Sequence, residues 1–151
     1  GGWRERPRLA WGVSVVYRIS AEARLAGMCA APIELRVLSL ANELSERIYR
    51  LTDGRNYRGD GVLRNQIRRA GLSVSSNIAE GDGRRYSKEG MRFFQIAIAS
   101  AEECKSQLKV AGHLGAVPRD EAIRAYEDYS VVCRMLNRLI ISRKSRGDLL
   151  E

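Results

Sequence analysis

Between Leu63 and Arg92 the chain runs LRNQIRRAGLSVSSNIAEGDGRRYSKEGMR, and within it Leu63, Ile67, Ala70, Val74 and Ile78 recur at steps of four, three, four and four. That period keeps all five on one face of a helix, a face that has to be buried. Arg64 and Arg68 are four apart and Arg69 adjoins them, so their guanidiniums leave the apolar stripe and form a basic shoulder. Gly81-Asp82-Gly83 then predicts the end of the helix, with Gly81 and Gly83 as structural turn residues supplying backbone freedom for a sharp reversal. Arg84, Arg85, Lys88 and Arg92 follow at once. Against these seven cations the stretch sets only Glu80, Asp82 and Glu89, so about a fifth of the chain carries half of its formal net charge of +8.

The flanking sequence repeats the helical pattern. Pro32 suits a first helical turn, since its ring fixes φ and its missing N–H has no partner there. Ile33, Val37, Leu40, Ala41, Leu44, Ile48 and Leu51 then form a continuous stripe that Thr52-Asp53-Gly54 closes. The second helix is expected over residues 62–80, with Gln66, Ser73 and Asn77 on a shared side from which to bond a neighbour. Ser87 is an N-cap for a third helix ending near Leu114-Gly115, and Glu89 suits its positive N-terminus. Phe94, Ala97, Ala101, Cys104, Leu108 and Ala111 make its inner face. Phe93, Ile96 and Ile98 widen the apolar surface beyond one stripe, which predicts neighbours on two sides. Pro118 opens a fourth helix in which Ile123, Tyr126, Tyr129, Cys133, Leu136 and Ile140 recur every three or four residues, with Arg143, Lys144 and Arg146 at its end. Four helices with short connections predict an all-α, antiparallel up-down-up-down four-helix bundle. Its expected limits are residues 32–146, after an uncertain leader or tail at 1–31 and before a C-terminal tail at 147–151.

Composition removes most chemistry. His113 is the single histidine, so histidine-based metal sites and triads lack their parts. Cys29, Cys104 and Cys133 have no short pairing interval, which argues against a disulfide framework and a structural zinc. Cys104 and Cys133 fall on apolar stripes as small hydrophobes. Adjacent on a helix, Glu102 and Glu103 diverge and suit salt bridges rather than a shared proton. Gly81 to Gly83 lacks the spacing of a phosphate loop. The reading is no enzyme, no catalytic residues, no metal and no cofactor. No apolar run has membrane-spanning length, so no membrane partner and a cytoplasmic location are expected. A pI near 9.9 points to a polyanion.

The run LRNQIRRAGLSVSSNIAEGDGR, continued by FFQIAIASAEECKSQLKVAGHLG, resembles the bacterial proteins encoded by intervening sequences within 23S rRNA genes. Their superfamily includes the accessory protein of diversity-generating retroelements. The resemblance covers roughly residues 32–144 and is carried by Gln66 to Ala70 and by Asn77 to Gly81. It implies an up-down bundle without established enzymatic activity, assembled as a homo-oligomer, often a homopentamer. Family members usually begin just before the first bundle helix, so residues 1–31, with Arg4, Arg6 and Arg8 ahead of a short apolar run, depart from that pattern. The expected function is a basic, non-enzymatic accessory protein that binds nucleic acid, structured RNA ahead of DNA, through Arg64, Arg68, Arg69, Arg84, Arg85, Lys88 and Arg92. The alternative is a protein-interaction scaffold that docks an acidic partner, such as a reverse transcriptase.

Overall fold

The computed structural model describes residues 33–84 and 87–145. They form α1 (Ile33–Leu51), α2 (Gly61–Gly83), α3 (Lys88–His113) and α4 (Arg119–Ser145). Each helix packs on its neighbours in sequence and α1 closes against α4, the arrangement of an up-down four-helix bundle. The core is the set of expected stripes: Leu44, Ile48, Ile67, Ile78, Phe94, Leu108, Tyr129 and Leu136 are all fully buried. Burial of each such side chain is worth about 1.5–3 kcal/mol, and the summed gain opposes the entropy of ordering the chain. Small residues thin the middle of α3, where Ala97, Ser100, Ala101 and Cys104 are buried and the helix packs against both α2 and α4.

Local chemistry sets the ends. Asp60 caps α2, its Oδ1 accepting from Leu63 N–H at 2.7 Å. Ser87 caps α3 as its position predicts, Oγ accepting from Gly90 N–H at 3.0 Å. At the other end of α3, Gly115 holds a φ of 69°, and Ala116 N–H reaches Ala111 C=O at 2.8 Å. That is the 6→1 bond of a Schellman ending, which needs the left-handed conformation glycine allows.

The expected turn at Gly81 and Gly83 is not where the chain reverses. α2 continues through both residues to Gly83, with Arg84 as its C-cap. Among the described residues the positive φ belongs to Gly115 instead. Gly81 is small for another reason: a Cβ there would stand 2.6 Å from Phe94 Cε1 and 2.9 Å from Gly90 C=O. The residue lets α2 and α3 touch. Gly83 has open space around its Cα. Ile123 and Tyr126, expected on the inner stripe of α4, stand 50% and 37% exposed on its outer side toward α3.

Candidate nucleic-acid interface

The antiparallel course divides the bundle into two poles. At one, the connection 52–60 meets the connection 114–118, with Arg58 N–H donating to Ala116 C=O at 2.8 Å. This is the Thr52 pole. At the other, the start of α1, the ends of α2 and α4 and the start of α3 converge on Arg143. Its Nη2 lies 3.2 Å from Glu34 Oε1 and 3.8 Å from Asp82 Oδ1, and its guanidinium stacks 4.8 Å from the centroid of Phe94. Arg143 is 6% exposed, with Nη1 lacking a hydrogen-bond partner among the described residues.

The cations singled out in the sequence do not form one cluster. Twenty helical residues separate Arg64 from Arg84, about 30 Å at 1.5 Å per residue. Arg64, Arg68 and Arg69 lie in the half of α2 nearer the Thr52 pole, whereas Arg84, Lys88 and Arg92 lie at the Arg143 pole. Arg85 falls outside the described residues, as do the leader at 1–31 and the tail at 147–151.

Nor are they equally free. Arg68 donates Nε–H to Thr52 Oγ1 at 2.7 Å and an Nη2 hydrogen to Thr52 C=O at 2.8 Å, with its guanidinium 4.7 Å from the centroid of Tyr49. It satisfies a backbone carbonyl just past the C-terminus of α1, so its donors are engaged in structure. Arg84 binds Glu80 Oε1 through Nε at 2.9 Å and Glu89 Oε2 through Nη1 at 2.8 Å, beside the Phe93 ring. The Glu80 hydrogen bond, then the Glu89 charge, raise its pKa further. Arg64 is half-buried, and its Nε lacks a partner among the described residues. Arg69, Lys88 and Arg92 are exposed.

Other polar groups sit inside the bundle. Arg47 reaches Asp128 Oδ2 at 2.8 Å and Glu121 Oε2 at 3.2 Å, tying α1 to α4. Ser73 and Ser100 bond across α2 and α3 at 2.8 Å, and Asn77 returns to Ser73 C=O at 2.7 Å. These are two of the three polar residues expected on that side, while Gln66 is exposed. Glu102 pairs with Lys105 at 2.9 Å, and the hydrogen bond from Lys105 lowers its pKa. Burial pushes the Cys104 thiol up to about 12 and the Cys133 thiol up to about 11, values that leave both protonated and unreactive near neutrality. Among the described residues no three His, Cys, Asp or Glu side chains gather to hold a metal ion. Among the same residues no helix is long and apolar enough to cross a membrane.

Sequence reading missed the inward placement of Arg143 and Asp128. Arg143 reads as one member of a basic helix end, yet an interval of three from Ile140, a core residue, was the available signal.

The family model for the 23S rRNA-intervening sequence protein matches residues 33–138. The chain belongs to that family. Within the solved structures, the fold is similar to a crystal structure of a protein with unknown function from the S23 ribosomal protein family of Bacteroides thetaiotaomicron. The TM-score is 0.65 and the identity 21%, over 72% of this chain and 98% of that one. A comparison with curated proteins finds no match. The family match covers all of α1, α2 and α3 and α4 as far as Arg138, so Arg143 and Lys144 lie beyond it.

Proposed function

We propose that this member of the intervening-sequence family is a non-enzymatic, oligomeric accessory protein that binds nucleic acid, structured RNA in preference to DNA, in a ribonucleoprotein setting. The observation that carries the reading is the exposure of Lys88, Arg92 and Arg69 without an ion pair among the described residues, on a chain of net charge +8. Phosphate attraction needs such cations, because an arginine already bonded to a carboxylate has little charge left to offer. Arg64 and Arg85 complete the set, and Arg68 and Arg84 support it from within. The preference for RNA rests on the family name.

The test is RNA retention as a function of salt. Binding weakens steeply from about 50 to 200 mM salt and varies little with sequence, since phosphate contacts release counterions and do not read bases. Arg69→Glu with Arg92→Glu lowers affinity more than about tenfold while helicity and oligomer size stay unchanged. Wild-type affinity in that double variant would reject the reading.

Self-association, as a homopentamer, belongs to the same proposal. Leu72, Ile96 and Val110 stand 44%, 39% and 46% exposed, apolar area that a second copy would remove from water. A monomer in light scattering across micromolar concentrations counts against it.

A second reading is a scaffold for an acidic partner, such as a reverse transcriptase. It is favoured by the groove between the end of α3 and the start of α4, about 400 Å³, with Leu108, Ile123 and Tyr126 in its wall and Lys109 and Arg119 at its rim. Saturating RNA that leaves protein capture unchanged would separate the two surfaces.

A further inference from the structure

Resting on the polyanion reading above, we infer that the phosphate-binding surface proposed around Lys88, Arg92 and Arg69 is centred on the Arg143 pole. It includes Arg36 of α1 and Arg138 and Lys144 of α4 beside Lys88 and Arg92 of α3. The ligand is the sugar-phosphate backbone of a folded RNA, gripped end-on by the bundle.

The topology gathers these residues from three helices. Contacts of Arg143 with Glu34 and Asp82 bring the start of α1 and the ends of α2 and α4 together, and the packing of Gly81 on Phe94 adds the start of α3. Arg36, Lys88, Arg92, Arg138 and Lys144 are all exposed there, and no ion pair among the described residues involves any of them. With helix axes about 8–10 Å apart, the end of a four-helix bundle spans about 20 Å, enough to meet several successive phosphates.

The described acids of this pole all face an arginine. Glu80 and Glu89 both lie on Arg84, and Glu34 and Asp82 both lie on Arg143. Two arginines thus stand against four carboxylates and offset two of their charges, so among the described residues the five exposed cations of the pole outnumber the two remaining negative charges by three. The Thr52 pole differs: Arg55, Arg58 and Arg119 are exposed there too, but the exposed carboxylates of Asp53 and Asp60 stand among them.

Helix stability accounts for Lys144, in the last turn of α4, but not for the whole pattern. Arg36 sits in the first turn of α1 and Lys88 is the first residue of α3, positions where the helix dipole disfavours a cation. A phosphate at the pole reverses that local penalty. Among the described residues of this pole Phe94 is buried and Phe93 is half-buried beneath Arg84, so neither offers a base a stacking platform and the contacts they leave are to the backbone.

The experiment compares two triple variants of the full chain by fluorescence anisotropy with a labelled RNA hairpin. One is Arg36→Gln, Arg138→Gln and Lys144→Gln; the other is Arg55→Gln, Arg58→Gln and Arg119→Gln. The first loses about tenfold or more in affinity, and its salt slope falls by about 2 to 3; the second stays within about twofold of wild type. A charge-retaining Arg36→Lys and Arg138→Lys pair keeps binding, which separates lost charge from altered packing. Failure of the wild-type chain to bind the hairpin at low salt overturns the polyanion reading and this inference with it. Binding by the wild type with equal losses in both triples, no loss in the first, or loss in the lysine pair overturns the inference alone.

Discussion

Arginines bridge carboxylates at both poles of the bundle, but at the Thr52 pole one of them, Arg68, closes on a backbone carbonyl instead. Toward the Thr52 pole, Arg68 turns onto the Thr52 carbonyl and Arg47 onto Asp128 and Glu121, so cations leave the surface to hold α1 against α2 and α4. At the Arg143 pole, Arg143 and Arg84 each take two carboxylates. An arginine satisfied by a carbonyl is lost to a ligand and leaves nearby acids in place. An arginine between two acids offsets one of their two charges, so its neighbours face less opposing charge than two free carboxylates would impose. Net charge hides this distinction, because it counts every arginine alike.

The hardest break of the comparison is steric. A Cβ on Gly90 would stand 2.2 Å from Arg84 C=O and 3.0 Å from Gly81 C=O, both backbone atoms that have no rotamer to escape into. Gly90→Ala is expected to destabilise by about 3 kcal/mol, measured by urea denaturation, and Gly81→Ala by a similar amount against the Phe94 ring. Gly83→Ala, in a helix with nothing near it, is expected to be neutral or to stabilise by up to about 1 kcal/mol. Equal losses at Gly81 and Gly83 would restore the turn reading and remove the close α2 to α3 contact from the account of this pole.

Next comes the ion pair on the Thr52 side. Asp128 is 1% exposed, so Arg47→Ala takes a cationic partner from a buried carboxylate and is expected to cost about 3 kcal/mol. Arg47→Met with Asp128→Leu is expected to recover much of that loss, because the pair's desolvation disappears with its charges. No recovery in the double variant would mean that the pair orients α1 on α4 through geometry an apolar pair cannot supply.

These two predictions show how far the sequence could be read. Burial periodicity carried the bundle, since stripes such as Ile67, Ala70, Val74 and Ile78 obey a rule that local composition alone satisfies. The function of a single small or charged residue obeys no such rule. Glycine's missing side chain reads as backbone freedom along a sequence, yet at Gly81 the neighbouring helix requires the missing volume. Arg68 and Arg69 are adjacent and chemically identical, and only the position of Thr52, sixteen residues earlier, separates a helix-end partner from a free cation. Arg64 and Arg84 look like one cluster because helical rise is invisible in a run of letters.

The core between the poles gives a smaller, pH-dependent effect. Burial raises the Cys104 thiol to about 12, and it raises Tyr129 as well. Both groups are neutral when protonated, so the folded state holds protons that the unfolded state releases first. Their stabilisation is complete below the unfolded pKa values and declines as pH climbs from about 9 toward 12. The slope approaches about 1.4 kcal/mol per pH unit for each group while only its unfolded form is ionised. Cys104→Ala is expected to flatten that decline in alkaline urea titrations. An unchanged slope would show that Cys104 ionises without unfolding.

The smallest stability effects belong to the two arginines that define the contrast, and their order is the sharpest test of it. Arg68→Ala removes two hydrogen bonds to Thr52, one of them to a carbonyl beyond the end of α1, and is expected to cost about 1 kcal/mol. Arg84→Ala removes two pairs whose members are 46–57% exposed, where water replaces the lost contacts, so thermal stability should not change measurably. Its electrostatic effect is the larger one. Glu80 and Glu89 stay beside Lys88 and Arg92 without their counter-charge, so the net charge falls by one where a phosphate would approach. RNA affinity in Arg84→Ala should therefore fall further than in Arg68→Ala, although its melting temperature falls less. The triple variant Arg84→Ala, Glu80→Gln and Glu89→Gln should return most of the affinity, because it removes the freed carboxylates without replacing the arginine. If that variant binds no better than Arg84→Ala, the guanidinium itself touches the phosphate and the neutralising role assigned to Arg84 is wrong.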